Sequence, residues 1–390
     1  MSSSHSSKRI LVVGREVGSI TRLLKEKIPK VLIGAVDVLG NEETRFYADW
    51  KFSVEKQSPN VSIFRFKHRP ILDLLFELTL IMLEDRDFDL LIPLSPFQTN
   101  PQYIHRLSRE IEVYTPNYNS LKLTTSAYTF LTYVSANFPE VIPPNIIISD
   151  LSKVSSIDLP AIFISDHQTY CFSSETSISS IGSLNQSGFL FPFSRIHCAF
   201  FIVFYQCIRF LGIQTLSNPH DHAFFPDYLE KNALIPFHLP QNFSYQRIIS
   251  FLSRIITQLE VTGMITIYFG LSKENIFPVS CSVLLDENFD LWERRSSKTL
   301  IPYIFFPEDE RDPLLASSNF AFKLPIYSRR SIRVPPLLNN LCYQRNLAGV
   351  ISHPDYPLCA LLEANFSFSV THHLFQQKKM EILEILDPKA

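Results

Sequence analysis

Residues 263–294 decide the fold. They read Gly263-Met-Ile-Thr-Ile-Tyr-Phe-Gly-Leu271, then Ser272-Lys-Glu-Asn275, then Ile276-Phe-Pro-Val-Ser-Cys-Ser-Val-Leu-Leu285, then Asp286-Glu-Asn-Phe-Asp-Leu-Trp-Glu-Arg294. Two β-rich runs around a four-residue polar turn predict a hairpin. Asp286 stands where an N-cap would open a short helix. Upstream, Ile248, Ile249, Leu252, Ile255, Ile256 and Leu259 recur at helical spacing, which predicts an amphipathic helix over Tyr245–Leu259. The order is helix, strand, turn, strand, helix.

The N-terminal third reads as alternating strands and helices. Arg9–Gly14 is an apolar strand, Ser19–Lys27 a helix, and Val31–Asp37 a second strand ending in an acid. That order predicts a parallel unit. Gly14-x-x-x-Gly18 is short of the full dinucleotide fingerprint. An acid ending the second strand can hold a ribose hydroxyl or simply cap a loop, so Asp37 is a candidate ligand residue beside Gly14 and Arg15. A short strand is expected over Trp50–Val54, a helix over Pro70–Glu84, a strand over Asp89–Ser95, a helix over Asn100–Ile111 and a short strand over Val113–Thr115. Together they make a doubly wound α/β domain of ordinary size.

Further on, a linking helix is expected over Asn117–Phe138 and a strand over Asn145–Ile148. Leu159–Ser165 and Thr169–Ser174 read as paired strands joined by Asp166-His167-Gln168. Two more strands are expected within Phe189–Leu211, then a loop over Asn218–Asn242. His220-Asp-His222 in that loop lacks a third ligand for a metal. In the tail, Leu324–Arg329 reads as a strand and Ser367–Leu386 as a helix.

Composition narrows the function classes. The chain has 390 residues, 46% of them hydrophobic, and a net charge of −2. That is long enough for two or three domains and too apolar for disorder. The charge gives no electrostatic basis for binding nucleic acid or an anionic membrane. Only 10 residues are glycine, against 26 prolines and 33 phenylalanines. Phosphate-cradling loops use glycine to bring the backbone close to the ligand, so this scarcity argues against one. The six cysteines, Cys171, Cys198, Cys207, Cys281, Cys342 and Cys359, form no Cys-x-x-Cys or zinc spacing and read as buried thiols of a reducing cytosol. The opening residues carry no apolar signal core, and the strongest apolar run, Cys198–Tyr205, is too short to span a membrane. The expectation is a cytoplasmic protein.

The hairpin with its flanking helices resembles the C-terminal part of the ATP-grasp domain. In that family the first strand presents an aspartate, and the second ends in a Glu-x-Asn-Pro-Arg run that binds magnesium and nucleotide phosphates. The matching positions here are Tyr268 on the first strand and Ser280, Ser282 and Leu284 on the second. A hard dication needs anionic oxygens, which these side chains do not supply. Thr44-Arg45-Phe46-Tyr47-Ala48-Asp49 resembles an Asp-Thr-Arg-x-Tyr-Ala-Asp run of archaeal-type members, which lies in their N-terminal pre-ATP-grasp domain near the substrate side. There Arg45 is a candidate to hold a carboxylate or phosphate. Asn117 and Pro143-Pro144 fit a linker passage of the family, whose Asp-Lys pair is replaced by Ala127-Tyr128. The family's lid strand ends in a lysine followed by a glycine-rich flap. Here Ile164 or Ser165 takes the lysine position, and the turn has no glycine. Pro192, Ser194 and Gln206 fit the frame of the next strands. Pro354, Pro357, Cys359, Ala360, Leu361 and Ala364 fit the tail of members linked to cofactor assembly. Glu293-Arg294 matches a Glu-Arg that would persist as a structural ion pair.

The resemblance implies an α/β fold: a Rossmann-like pre-ATP-grasp domain (1–116), a linker helix with a small lid-like β subdomain (117–185), an ATP-grasp-like α+β domain (186–310) and a strand-and-helix extension (311–390). It also implies two functional readings. In the first, the ATP and magnesium site is lost, no cofactor binds, and the chain serves as a non-catalytic or regulatory subunit in a cofactor-biosynthesis or one-carbon pathway. That reading requires a protein partner or a second copy of the chain. In the alternative, it is an active ATP-dependent carboxylate–amine ligase acting on a small molecule, with Asp286, Glu287 and Asp290 as replacement metal ligands. A third, generic possibility is small-ligand binding at the N-terminal domain alone, through Gly14, Arg15 and Asp37. No Gly-x-Ser-x-Gly, His-Glu-x-x-His or P-loop run is present.

Overall fold

The computed structural model describes residues 8–14, 17–28, 30–37, 42–53, 71–94, 97–142, 146–148, 161–166, 169–172, 187–193, 195–204, 207–216, 234–237, 239–273, 275–285, 289, 293, 300–301, 320–327, 342–350 and 358–366. The chain divides into two compact units, Met1–Thr115 with Leu284–Ala390, and Pro116–Val283.

In the first unit, β1 (Arg9–Gly14), β2 (Leu32–Asp37), β3 (Trp50–Ser53) and β4 (Leu90–Pro93) form a parallel sheet in the order β3-β2-β1-β4. Helices α1 (Gly18–Lys27), α2 (Glu42–Tyr47), α3 (Ile71–Asp85) and α4 (Pro101–Leu107) accompany it. Parallel strands covered on both faces read as unbroken apolar runs. Ile10, Leu11, Val12, Val13, Ile33, Ala35 and Val36 are accordingly all fully buried. Expected helix 100–111 stops at Leu107, with Pro101 in its first turn, where a missing N–H costs nothing. Val113 makes one parallel bridge to Leu91 instead of a strand.

Asp49 explains much of the Thr44–Asp49 run in local terms. Its carboxylate accepts from the Ile33 N–H (2.8 Å), and its own N–H donates to the Ile33 carbonyl (2.8 Å). Lys25 Nζ reaches both carboxylate oxygens (2.9 and 2.7 Å) and the Val31 carbonyl (3.1 Å). One acid thereby ties α1, the start of β2 and the turn into β3.

The second unit, Pro116–Val283, begins with helices. The single linking helix expected over 117–138 is two helices, α5 (Tyr118–Leu123) and α6 (Ala127–Asn137). Thr124-Thr125-Ser126 breaks it, because hydroxyls compete for the backbone. Thr124 Oγ1 donates to the Ser120 carbonyl (2.9 Å), Thr125 Oγ1 to that of Lys122 (3.2 Å), and Ser126 Oγ accepts from the Thr129 N–H as a fresh N-cap. Both helices are fastened to the C-terminal end of α7 (Tyr245–Leu259). Asn117 Nδ2 donates to the Glu260 carbonyl (2.9 Å), Ser120 Oγ to that of Leu259 (2.5 Å), and Tyr133 Oη to that of Gln258 (3.0 Å). These are the last carbonyls of a helix, which have no intrahelical partner.

A small antiparallel sheet follows, from β5 (Ile147–Ile148), β6 (Ala161–Ile164), β7 (Thr169–Phe172) and β8 (Gly188–Phe191), in the order β5-β8-β6-β7. The expected pairing of the 159–165 and 169–174 runs holds, with Ile164 opposite Thr169. The segment expected to hold two strands, 189–211, instead supplies β8 to this sheet and then two long strands, β9 (Ile196–Phe204) and β10 (Cys207–Leu216). Phe191-Pro192-Phe193 separates the two sheets; proline there cannot continue a ladder. Strand β11 (Leu234–Pro236) lies within the region expected to be a loop. Strands β12 (Gly263–Ser272) and β13 (Asn275–Ser282) complete the second sheet, ordered β13-β12-β9-β10-β11 within this unit.

The hairpin over 263–282 and the helix before it fold as read. Ser272 pairs with Asn275 across a tight turn, with Lys273 at φ 54°. Ser244 caps α7, and Ile248, Leu252, Ile255, Ile256 and Leu259 are buried. Beyond it, β14 (Phe320–Tyr327), β15 (Cys342–Val350) and β16 (Leu358–Phe366) pair antiparallel in the order β14-β16-β15; of these the expected strand over 324–329 matches part of β14. The expected helix over 367–386, the Asp286 N-cap and His220-Asp-His222 lie outside the described residues.

Candidate functional site

The second unit carries Tyr268, Ser280 and Ser282, which the ATP-grasp resemblance sets at metal-binding positions. Alternation along β12 puts Thr266, Tyr268 and Gly270 on one face of the sheet. Their cross-strand partners on β13 are Ser282, Ser280 and, past a bulge that skips Val279, Phe277. On β9 the partners of Thr266 and Tyr268 are Phe200 and Cys198. The face is therefore built from hydroxyls, a thiol and rings. Thr266, Tyr268, Ser280 and Ser282 are all buried. A neutral hydroxyl in such a place makes hydrogen bonds, whereas a magnesium–triphosphate pair needs carboxylates and a cation.

Three phenylalanines gather at the Gly270 end of this face. Phe191 and Phe193, from the segment joining the two sheets, stack at 5.5 Å and 28°, and Phe193 stacks on Phe277 at 6.1 Å and 29°. Phe191 meets Phe277 at 5.7 Å. The Phe193 ring lies directly over Gly270, where a Cβ would fall 2.3 Å from it. All three rings are buried. At the end of β6, Ile164 and Ser165 are buried as well, so the lysine position of the lid is apolar core.

On the opposite face of β9 and β12, His197 packs edge-on to Phe237 (4.8 Å) and against Phe269 (5.4 Å), with Nδ1 at 2.9 Å from Thr215 Oγ1. Burial, assisted by the charge of Arg195, pushes its pKa from 6.5 down to about 3. It is a neutral core histidine at physiological pH. Burial also pushes the Cys281 thiol up, away from thiolate chemistry. Cys198 is buried, and Cys207 is only half-buried, contrary to the expectation of six buried thiols.

In the first unit, the parallel register places Gly14 opposite Asp37 at the carboxyl edge of the sheet, and both are buried. Arg45 sits exposed on α2; its carbonyl accepts from Lys51 Nζ at 2.6 Å. Arg15, Asp286, Glu287 and Asp290 lie outside the described residues. Glu293 is buried and accepts from the Leu300 N–H at 2.5 Å; Arg294, its expected partner, also lies outside the described residues. Among the described residues no group of three or more His, Cys, Asp or Glu is placed to hold a metal, and no helix is long and apolar enough to cross a membrane. Sequence reasoning passed over Phe191, Phe193 and Phe277. The Phe-Pro-Phe run beside the sheet junction was the available signal.

No protein-family profile matches the sequence, and no curated protein does. Solved structures do match. Biotin carboxylase from Campylobacter jejuni, in a β,γ-ATP complex, superposes with a TM-score of 0.69 at 12% identity, over 96% of this chain and 90% of that one. An ADP complex of the N5-carboxyaminoimidazole ribonucleotide synthetase PurK gives 0.67 at 12% identity, over 97% of each chain. The chain has an ATP-grasp fold. The biotin carboxylase domain of Hydrogenobacter thermophilus 2-oxoglutarate carboxylase, solved as a dimer with MgADP and bicarbonate, gives 0.68 at 11% identity, over 96% and 90%. At these identities the likeness is one of fold.

Proposed function

We propose that this ATP-grasp-fold chain has lost its ATP and magnesium site and acts as a non-catalytic or regulatory subunit within a cofactor-biosynthesis or one-carbon enzyme set in the cytosol. One observation carries the reading. The sheet face that would carry metal carboxylates presents Tyr268, Ser280 and Ser282, and the Phe191–Phe193–Phe277 stack sits over Gly270 beside them on β12. Phosphoryl transfer depends on neutralising charge on the transferring group, and losing such groups costs orders of magnitude in rate. A fold kept without that chemistry is kept for contacts, so the proposal includes a partner protein or a second copy of the chain.

Titration calorimetry with ATP, with and without magnesium, tests it. No heat and no thermal stabilisation at millimolar ATP is the expected result. Magnesium-dependent binding with a dissociation constant on the order of micromolar overturns it. That outcome favours the ligase reading, because the similar solved structures include ATP and MgADP complexes, and it directs mutagenesis to Asp286, Glu287 and Asp290.

A further inference from the structure

We propose that Phe191, Phe193 and Phe277 form a latch that holds the small sheet against the large one, so that the small sheet does not swing as a separate body. The inference concerns motion within the unit Pro116–Val283. It goes beyond the loss of the ATP site and is tested without nucleotide, so either reading can fail alone.

The small sheet has an apolar inner face. Alternation puts Phe189 and Phe191 on one face of β8. Their partners on β6 are Ile164 and Ile162. All four side chains are buried. Their neighbours belong to the rest of the unit. Phe189 meets Tyr128 of α6 at 5.7 Å, and α6 itself packs on β13. Phe191 meets Phe277 of β13 at 5.7 Å. A sheet that swings away must give such side chains to water, at a cost that grows with the apolar area exposed.

The joint between the sheets resists the same motion. Strand β8 ends at Phe191 and β9 starts at Ile196. Between them the Phe193 N–H donates back to the Phe191 carbonyl (3.0 Å). Pro192, inside that turn, has its φ fixed by its ring. A hinge works by a few residues that absorb large φ and ψ changes, and this turn ties the residues that would do so. The turn also stacks the two rings at 5.5 Å. Phe193 then seats on Gly270, where the missing side chain leaves a socket, and Phe277 is the cross-strand partner of Gly270. One ring of the latch therefore belongs to the small sheet, one to the joint and one to the large sheet.

The test measures the distance between the two parts by pulsed electron resonance on the full chain. Spin labels are carried on non-natural side chains at Ile147 in β5 and Ser250 in α7, both exposed, so that the native cysteines stay in place. The native protein should give one narrow distance. Phe193→Ala should raise the opening constant about a hundredfold or more, the effect of losing a buried ring, and add a second, longer distance. Phe193→Leu keeps apolar bulk in the socket and should give a smaller share of it. Circular dichroism checks that each variant is folded; should Phe193→Ala fail there, the native protein and Phe193→Leu decide. Two distances in the native protein overturn the proposal. So does a folded Phe193→Ala protein with the native distance alone.

Discussion

Gly270→Ala is the sharpest probe of the phenylalanine stack. The added Cβ would lie 2.3 Å from two Phe193 ring atoms, whereas ordinary contact begins at 3.4 Å. The ring must retreat by about 1 Å, and it has little room, because Phe191 and Phe277 flank it at 5.5 and 6.1 Å. Overpacking of this kind costs about 1–3 kcal/mol. Phe193→Ala alone removes a buried ring and costs about 3–5 kcal/mol. In the double variant the new methyl enters space the ring has vacated. Its stability should therefore match that of Phe193→Ala, with a coupling of about 1–3 kcal/mol recovered. Urea denaturation by circular dichroism measures the four proteins, and amide exchange on β12 and β13 locates the loss. A Gly270→Ala protein as stable as the native one, or strictly additive losses, would refute the stacked arrangement.

Two further outcomes follow from buried polar groups. His197 has a folded-state pKa of about 3 against 6.5 when exposed, so between those values the unfolded chain binds the extra proton. Stability from this site is intact above pH 6.5 and declines as pH falls toward 3, with a slope of up to about 1.4 kcal/mol per pH unit; His197→Gln should flatten that part of a pH–stability profile. Asp49→Ala leaves the Ile33 N–H without its side-chain acceptor and should cost about 1–2 kcal/mol in urea denaturation. Lys25→Met should cost less than that, because the ion pair it removes is about one-third exposed.

Local patterns in the chain were enough for the hairpin at 263–282, the helix at 245–259 and the parallel β1–β2 pair, because each is written in a short-range period or turn. The absence of carboxylates at 268, 280 and 282 was equally legible, since it is a matter of residue identity. Other features depended on competition that a hydrophobic pattern does not record. The hydroxyls of Thr124, Thr125 and Ser126 divide an apolar helix in two, and β8 pairs with the small sheet rather than with β9. Tertiary structure alone placed the Phe191–Phe193 pair over Gly270 and Phe277, residues about eighty positions away, because that meeting depends on strand register and a bulge at Val279. It alone showed that the hydroxyls of Thr266, Tyr268, Ser280 and Ser282 are buried, since burial is a property of everything packed around a group and not of its neighbours in the chain.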